Sequence, residues 1–454
     1  METMINEIVE KFKKEIEEFF HQEAVEIDRA EAFFTPRVSQ VVTDLLAAYY
    51  EKVDEALLAD KAGRKVSGLV VQRRSDSRQI LTRLGTVEYR RTYYKQAMGG
   101  YCYPVDALAG VEAYERVSGG VSLDLVETAL AMSYAKSSQT VTGGKISRQT
   151  VMNKIRQSSV PASRTVERRK VPVLHVDADE DHVHLQTGQN TIVPLISIYE
   201  GIEKRGKRGS CKNVFHISEY GKKPDDLWEE VLNELERRYD LEDTKIYLHG
   251  DGAAWIRHGL DWLPNSVFVL DRYHKNKAVK QAVSGIERKY GCQYEALLRK
   301  ALREGDRDLA CSIQESLLLR WPEHAETIHK GTDYLLNHFD SIHTFETDPE
   351  AANGGATEPH ISNILSARLS SRPMAWSRVT LEKFVPLLAA RCCTSDVQPA
   401  QVSEQVKRVR QKVIGRRHPV KHSLGLPDPE RAVSLPGLSG KVTPLFIALR
   451  HFNH

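Results

Sequence analysis

A chain of 454 residues exceeds the usual size of one hydrophobic core, so two or three domains are expected. With 41% hydrophobic and 28% charged residues it has the composition of an ordinary water-soluble protein, and no uninterrupted apolar run reaches the roughly 18 residues that would span a bilayer. The net charge of +3 is unremarkable as a total, yet it is unevenly placed: Gly201 to Lys212 holds five basic residues against one acid, and Gln401 to His422 holds seven (Lys407, Arg408, Arg410, Lys412, Arg416, Arg417, Lys421) against Glu404. Such segments suit contact with a polyanion, the alternative being a solvated loop and a solvated helix face.

The opening METMINEIVEKFKKEIEEFF alternates charge with apolar residues at helical spacing and lacks the apolar centre of a signal peptide, so a cytoplasmic location is expected. Ile5, Ile8, Val9, Phe12, Ile16 and Phe19 form one helical stripe, and Val42, Leu45, Leu46, Tyr49, Val53 and Leu57 a second; both must be buried. Residues 78–94 change period, and the alternation of Val87, Tyr89, Arg91 and Tyr93 after Gly85-Thr86 predicts a hairpin with a type II′ turn at that pair. Residues 121–157 return to helices and end in GGKISRQTVMNKIRQ. There Ser147 is a good N-cap, Val151 and Ile155 turn inward, and Arg148, Gln149, Asn153 and Arg156 stay outside. That pattern suits the second helix of a helix-turn-helix, with guanidinium and amide groups for base edges and phosphates, although an ordinary surface helix would read alike.

After a linker at 161–170, the expected order is strands at 172–179, 182–186 and 191–199, a helix at 224–239, a strand at 244–249, a short helix at 253–259 and a strand at 266–270. Three strands followed by helix, strand, helix and strand, with a later helix, is the element order of an α/β ribonuclease H-like fold. Residues 276–345 are helical in pattern and read as an insertion. The six cysteines (Cys102, Cys211, Cys292, Cys311, Cys392, Cys393) show neither a CxxC pair nor zinc spacing and are expected to be reduced.

Three acids stand out on this frame. Asp251 follows the apolar strand Ile246 to Leu248 directly and is backed by Gly252, which lets the backbone approach a ligand closely. Asp179 ends the strand in VPVLHVDADEDHVHLQ; Asp177 lies on the same face and is the alternative, whereas Glu180 and Asp181 read as turn residues. Glu358 opens a helix carrying Ile361, Leu365 and Leu369, with Thr357 as its expected cap and Pro359 tolerated in the first turn. Taken singly, an Asp-Gly after a strand is usually a turn and a Glu at a helix start usually answers the dipole. Their joint occurrence in this order, beside basic segments, points to three carboxylates holding two divalent ions for phosphoryl transfer.

The motifs VDADEDHVHLQ, LHGDGAAWI, LDRYHKNK and SSRPMAWS, with the spacing of Asp179, Asp251 and Glu358, resemble the ISLre-type DDE transposases of bacterial insertion sequences, which are similar to the Mutator-like group. The resemblance runs from the hairpin near 78 to the basic tail near 422. It implies Asp179, Asp251 and Glu358 as catalytic metal ligands for two Mg²⁺, with Mn²⁺ substituting, and Asp271 and His274 of DRYH as support for the site and for DNA near the cut. It also implies that Trp321 stacks on a distorted base, which would contribute about 1–3 kcal/mol, although a Trp beside Pro322 is more often core.

The resulting expectation is a mostly helical N-terminal DNA-binding region (1–60 helical, 61–160 hairpin plus helix-turn-helix), a ribonuclease H-like catalytic domain (170–275 and 346–395) interrupted by an all-helical insertion (276–345), and a basic C-terminal segment (396–454). The implied activity is a transposase that binds terminal inverted repeats, cleaves at the element ends and joins the 3′-hydroxyls to target DNA as a homodimer or larger assembly. A related metal-dependent nuclease, or an inactive transposase-derived DNA-binding protein, are the alternatives.

Overall fold

The computed structural model describes residues 2–21, 25–160, 167–206 and 208–393, and the chain divides into one unit up to Ser122 and a second from Leu123 onward. The basic residues Lys407, Arg408, Arg410, Arg416 and Arg417 lie outside the described residues.

In the first unit, the two apolar stripes lie on helices α1 (Glu2–Phe20) and α2 (Ile27–Ala59). Phe19 of α1 stacks on Phe33 of α2, with ring centroids 4.1 Å apart. The stripe of α2 covers a hairpin of β1 (Leu69–Thr82) and β2 (Gly85–Gln96), to which the short β3 (Tyr101–Cys102) adds. Leu46, Tyr50, Val53 and Leu57 pack there around Ile80, Val87 and Tyr89. Asp54, buried on the same interface, accepts from the Thr92 amide (2.9 Å) and hydroxyl (2.6 Å), which fixes the helix along the strand. The hairpin turn is Arg83-Leu84, because Gly85 already pairs with Thr82. The expectation of a turn at Gly85-Thr86 is therefore displaced: the glycine's positive φ (+129°) is used in the first residue of the returning strand.

The second unit begins within α3 (Gly119–Ala131), followed by α4 (Tyr134–Thr142) and α5 (Arg148–Gln157). Ser147 caps α5 by accepting from the Thr150 amide at 3.1 Å, and Val151 and Ile155 are buried. Arg148, Gln149 and Asn153 are exposed, with Gln149 donating to Asn153 at 3.2 Å. Arg156 corrects the sequence reading. Its guanidinium is half-buried and donates to the Thr380 and Ser377 hydroxyls at 2.9–3.1 Å, at the start of the last described helix. It docks α5 within this unit, and α4 and α5 belong with the sheet and not with the hairpin. Arg156→Ala should therefore lower the urea-unfolding midpoint by the equivalent of about 1.5–3 kcal/mol, the scale of hydrogen bonds from a charged donor. A change in DNA affinity without a change in midpoint would contradict this.

A five-stranded sheet forms the centre of the unit. Its strands are β4 (Val173–His184), β5 (Asn190–Tyr199), β8 (Phe215–Ile217), β9 (Lys245–Gly250) and β10 (Ser266–Leu270), in the spatial order β10-β9-β4-β5-β8. The first three in sequence run antiparallel, whereas β9 and β10 are parallel to β4. The separate strands expected at 172–179 and 182–186 are thus one, and the third strand of the sheet, Phe215–Ile217, was not anticipated. Glu180 and Asp181 resemble turn residues by type, but tertiary partners hold them extended: Asp181 accepts from the Ser370 hydroxyl (2.9 and 3.0 Å) and Glu180 from the Trp255 indole (2.6 Å). The basic stretch 201–212 forms a small ribbon of β6 (Ile202–Arg205) and β7 (Arg208–Cys211) between β5 and β8.

One face of the sheet is apolar. Val176, Ala178, Ile196, Ile198, Ile246 and Leu248 pack against Leu227, Trp228, Val231 and Leu235 of α6 (Pro224–Arg238). After β10 the chain enters α7 (Arg272–Ala282), α8 (Arg288–Glu304), α9 (Arg307–Arg320), α10 (Ala325–Asn337) and α11 (Phe339–Thr347). This region is all-helical, yet Leu298, Leu317, Ile328 and Leu335 join the same apolar cluster as the sheet. Trp321, half-buried at the end of α9, packs against Tyr290 and Tyr294 with ring centroids 5.8 and 5.6 Å away. The chain then reaches α12 (Thr357–His360), a π-helical turn (Ile361–Ser366) and α13 (Arg378–Arg391).

Candidate active site

The second face of the sheet is polar, and alternation along the strands explains why. If Val176 and Ala178 point to the apolar core, then His175, Asp177, Asp179 and Asp181 must point the other way, as must Tyr247 and His249 on β9. Parallel pairing sets these residues side by side. His249 is level with Asp177, so continuing the register by two places Asp251 beside Asp179. Gly250 is level with Leu270, so Asp271 lies beside Asp251, and the Asp271 amide donates to the Gly250 carbonyl at 3.1 Å. Three aspartates thus form a row across three parallel strands, at the carboxyl ends of β9 and β10, where open α/β sheets place their ligands.

The charges of this row act on one another. Burial, with the Asp251 and Asp271 charges, pushes the Asp179 carboxyl up to about 6, against the opposing pull of the Glu180 amide and His274. Asp271 is buried and caps α7, its oxygens accepting from the His274 amide (2.9 Å) and pairing with His274 Nδ1 (2.6 Å). Burial alone would lower the His274 imidazole; the Asp271 bond and charge, with Asp251 and Asp179, more than offset it and hold it above its ordinary value. Asp251 bends into its own turn by accepting from the Ala253 amide at 2.8 Å.

The helical insertion closes over this turn. Tyr334 of α10 donates its hydroxyl to the Asp251 carbonyl at 2.5 Å, and burial followed by the charges of Asp251, Asp271 and Asp179 raises its phenol. The His338 ring lies where a Cβ on Gly252 would stand, 2.2 Å from its Cε1, and Gly252 has φ +90°. Only glycine meets both demands there. Neither Tyr334 nor His338 carried a signal in the sequence, since Tyr334 sits in an ordinary amphipathic helix and His338 in the turn after it, and their docking is a tertiary matter.

The structure separates Asp177 from Asp179. Asp177 is 2% exposed and committed to neighbours: the Tyr199 hydroxyl donates to it at 3.0 Å, and His360 Nδ1 lies 3.6 Å from Oδ2. Burial works to raise its carboxyl, but His360, His249 and Tyr199 hold it below the usual range. Asp179 is only partly buried. Glu358 is exposed at the start of α12, two residues from His360, on a segment that packs along β4. Asp179 and Asp251 are therefore brought together, and Glu358 stands exposed on the segment that passes along β4. Among the described residues no three His, Cys, Asp or Glu side chains form a ready metal cage. Thr357 does not cap the helix as expected: the helix begins at Thr357 itself, Ala356 is the cap residue, and the buried Thr357 hydroxyl has no partner.

Behind Asp177 lies a set of buried histidines. His175 Nδ1 meets His249 Nε2 at 3.1 Å, and His216 Nδ1 meets the Ser197 hydroxyl at 2.8 Å. Burial, then the charge of His249, lowers His175 to about 4; burial, then His360, lowers His216 to about 3. Both are neutral in the fold but bind a proton near 6.5 once unfolded, so the unfolded chain holds more protons below that pH. Stability should be unaffected by these groups above pH 6.5 and should fall as the pH drops from 6.5 to about 4 for His175 and on to about 3 for His216. Urea midpoints measured across that window check this, and a flat profile would contradict it.

Among the described residues no helix is long and apolar enough to cross a membrane, and all six cysteines are free. The model of the Uncharacterised protein family (UPF0236) matches residues 20–406. A UPF0236 protein of Caldanaerobacter subterraneus subsp. tengcongensis, whose name joins eleven gene designations, is 39% identical over 350 residues, covering 76% of this chain and 73% of its own length. Another from that organism, whose name joins four, is 38% identical over 348 residues, covering 75% and 73%. The "UPF0236 protein in vanSb 3′ region" of Streptococcus gallolyticus is 27% identical over 377 residues, covering 78% and 80%. Matched over most of its length, the chain belongs to the uncharacterised protein family UPF0236.

Proposed function

We propose that the protein is a DDE transposase that binds the ends of its own element, cleaves there and joins the freed 3′-hydroxyls to target DNA. The observation that carries this reading is the row Asp179, Asp251, Asp271 across three parallel strands, answered by the His274 imidazole. The reading of the domain as ribonuclease H-like is supported by a sheet of three antiparallel strands followed by two parallel to the first, with helices on both faces and a helical region between β10 and the Glu358 helix. Relatives whose names join eleven and four gene designations in one organism support it independently, because an element that copies itself leaves many nearly identical genes.

The residues present suit a divalent cation. Asp179 is pushed up to about 6 by burial and by the Asp251 and Asp271 charges beside it, and Mg²⁺ needs only one or two carboxylates plus substrate phosphate and water. Asp179 and Asp251 would hold it, and Glu358 is the third carboxylate that the resemblance implies. Divalent ions bound there supply the Lewis-acid clamp on the attacking and leaving oxygens of an in-line displacement, with Mn²⁺ an expected substitute.

The chain's own groups do the rest. Asp271 fixes the His274 ring by its Nδ1, so the imidazolium holds its second proton away from Asp271 and can offer it to a phosphate oxygen. Tyr334 and His338 keep the Asp251 turn closed. Arg148, Gln149 and Asn153 form an exposed polar face of α5 suited to double-stranded DNA. Trp321 remains the residue assigned by resemblance to a distorted base, although its half-buried packing against Tyr290 and Tyr294 leaves only part of the ring available. Because two ends must be joined in one event, a homodimer or larger assembly is expected.

The test is an assay with duplexes from the two flanks of the gene, ending in 3′-hydroxyls, and supercoiled plasmid as target, in Mg²⁺ or Mn²⁺. Joined product is expected. Cutting without joining would make the protein a metal-dependent nuclease, and DNA binding without either would make it a transposase-derived binding protein.

A further inference from the structure

We propose that Tyr199, Asp177 and His360 are positioning residues that clamp the segment bearing Glu358 onto the sheet and thereby set where its carboxylate stands relative to Asp179 and Asp251. The inference rests on the reading of those three acids as a metal-dependent site.

The clamp holds the segment on both sides of Glu358. On the upstream side the Tyr199 oxygen accepts from the Gly355 amide at 2.9 Å and from the Ala356 amide at 3.4 Å, while its proton goes to Asp177. Gly354, one residue earlier, lies flat on the histidine pair: a Cβ there would stand 2.3 Å from His175 Nδ1 and 2.4 Å from His249 Nε2. On the downstream side His360 lies between Asp177 Oδ2 and Cys211 Sγ, 3.6 Å from each. Glu358 therefore sits in a stretch of chain pinned at 354–356 and again at 360. The π-helical turn that follows directly, Ile361–Ser366, is a local irregularity of the kind found at functional sites.

Chemistry argues that this is more than core packing. Tyr199 is fully buried and Asp177 nearly so, and burying a carboxylate and a phenol costs more than burying apolar side chains of the same volume. Such a network gives directional placement, which apolar contact would not. Asp177 is bonded to Tyr199 at the base of the clamp, whereas Asp179 stands partly exposed in the row.

The experiment is calorimetric titration of the full chain with Mn²⁺, comparing wild type, Tyr199→Phe, Glu358→Gln and the double variant, with unfolding midpoints recorded for each. Loss of the hydroxyl should weaken Mn²⁺ binding by about tenfold, the usual scale for a partner that orients a ligand. Glu358→Gln should do the same, and the double variant should be no weaker than either single one, since both act through one carboxylate. The clamp is overturned if Tyr199→Phe folds and binds Mn²⁺ like wild type while Glu358→Gln does not, or if the two losses multiply. Should Tyr199→Phe fail to fold, His360→Gln at the half-buried end of the clamp is read by the same criteria. Unchanged Mn²⁺ binding in Asp251→Asn would instead overturn the carboxylate site itself, and so separates the two failures.

Discussion

Asp251→Asn is expected to reduce end cleavage at least about a thousandfold while leaving DNA affinity within about twofold of wild type. The magnitude follows from the several kcal/mol that a positioned divalent ion contributes to a phosphoryl-transfer transition state, where about 4 kcal/mol corresponds to a thousandfold in rate. The substitution is chosen because it changes charge and little else. Asn retains an oxygen that can accept from the Ala253 amide, so the turn that Asp251 makes is preserved, and the Tyr334 bond goes to the backbone carbonyl, which is untouched. Loss of activity therefore cannot be assigned to a collapsed loop. Gel-shift and cleavage assays on the same preparation check the result. Full cleavage by Asp251→Asn would remove the aspartate row from the mechanism, and full cleavage by Glu358→Gln would remove the third acid.

The largest loss of stability short of core truncation is expected from Gly331→Val. Helices α7 and α10 touch backbone to backbone at this point: a Cβ on Gly331 would stand 2.3 Å from the Ala282 nitrogen and 2.6 Å from its Cα. A glycine inside a helix costs about 1 kcal/mol relative to alanine, so its presence in α10 reflects the close approach rather than local preference. A branched side chain must part the helices, at about 1–3 kcal/mol. The functional consequence follows from what each helix carries. Helix α7 begins at the Asp271–His274 pair and α10 carries Tyr334, so parting them should draw Tyr334 away from Asp251. A lowered urea midpoint together with reduced cleavage is expected, and unchanged stability would show that this crossing yields freely.

Much of the element order was readable without coordinates, because it depends on local pattern. The stripes of α1 and α2, the capped α5 with Val151 and Ile155 inside, and the apolar runs that became β9 and β10 all follow from periodicity and turn chemistry within a dozen residues. Readings failed where a distant partner overrode residue type. The acids at 180 and 181 are held in a strand by Trp255 and Ser370, Arg156 is captured by hydroxyls more than two hundred residues away, and Phe215–Ile217 is a strand only because β5 offers it an edge.

Local pattern marks out the candidate acids, since a carboxylate after a strand and a glycine beside it are local facts, and alternation already places 177 and 179 on one face. It could not choose between those two. Their surroundings differ through Tyr199 and His360, which arrive from separate elements and enclose Asp177, and through the parallel register, which sets Asp179, Asp251 and Asp271 abreast. Pairing register and the burial of a charge depend on the whole chain at once, so only the folded molecule can decide them.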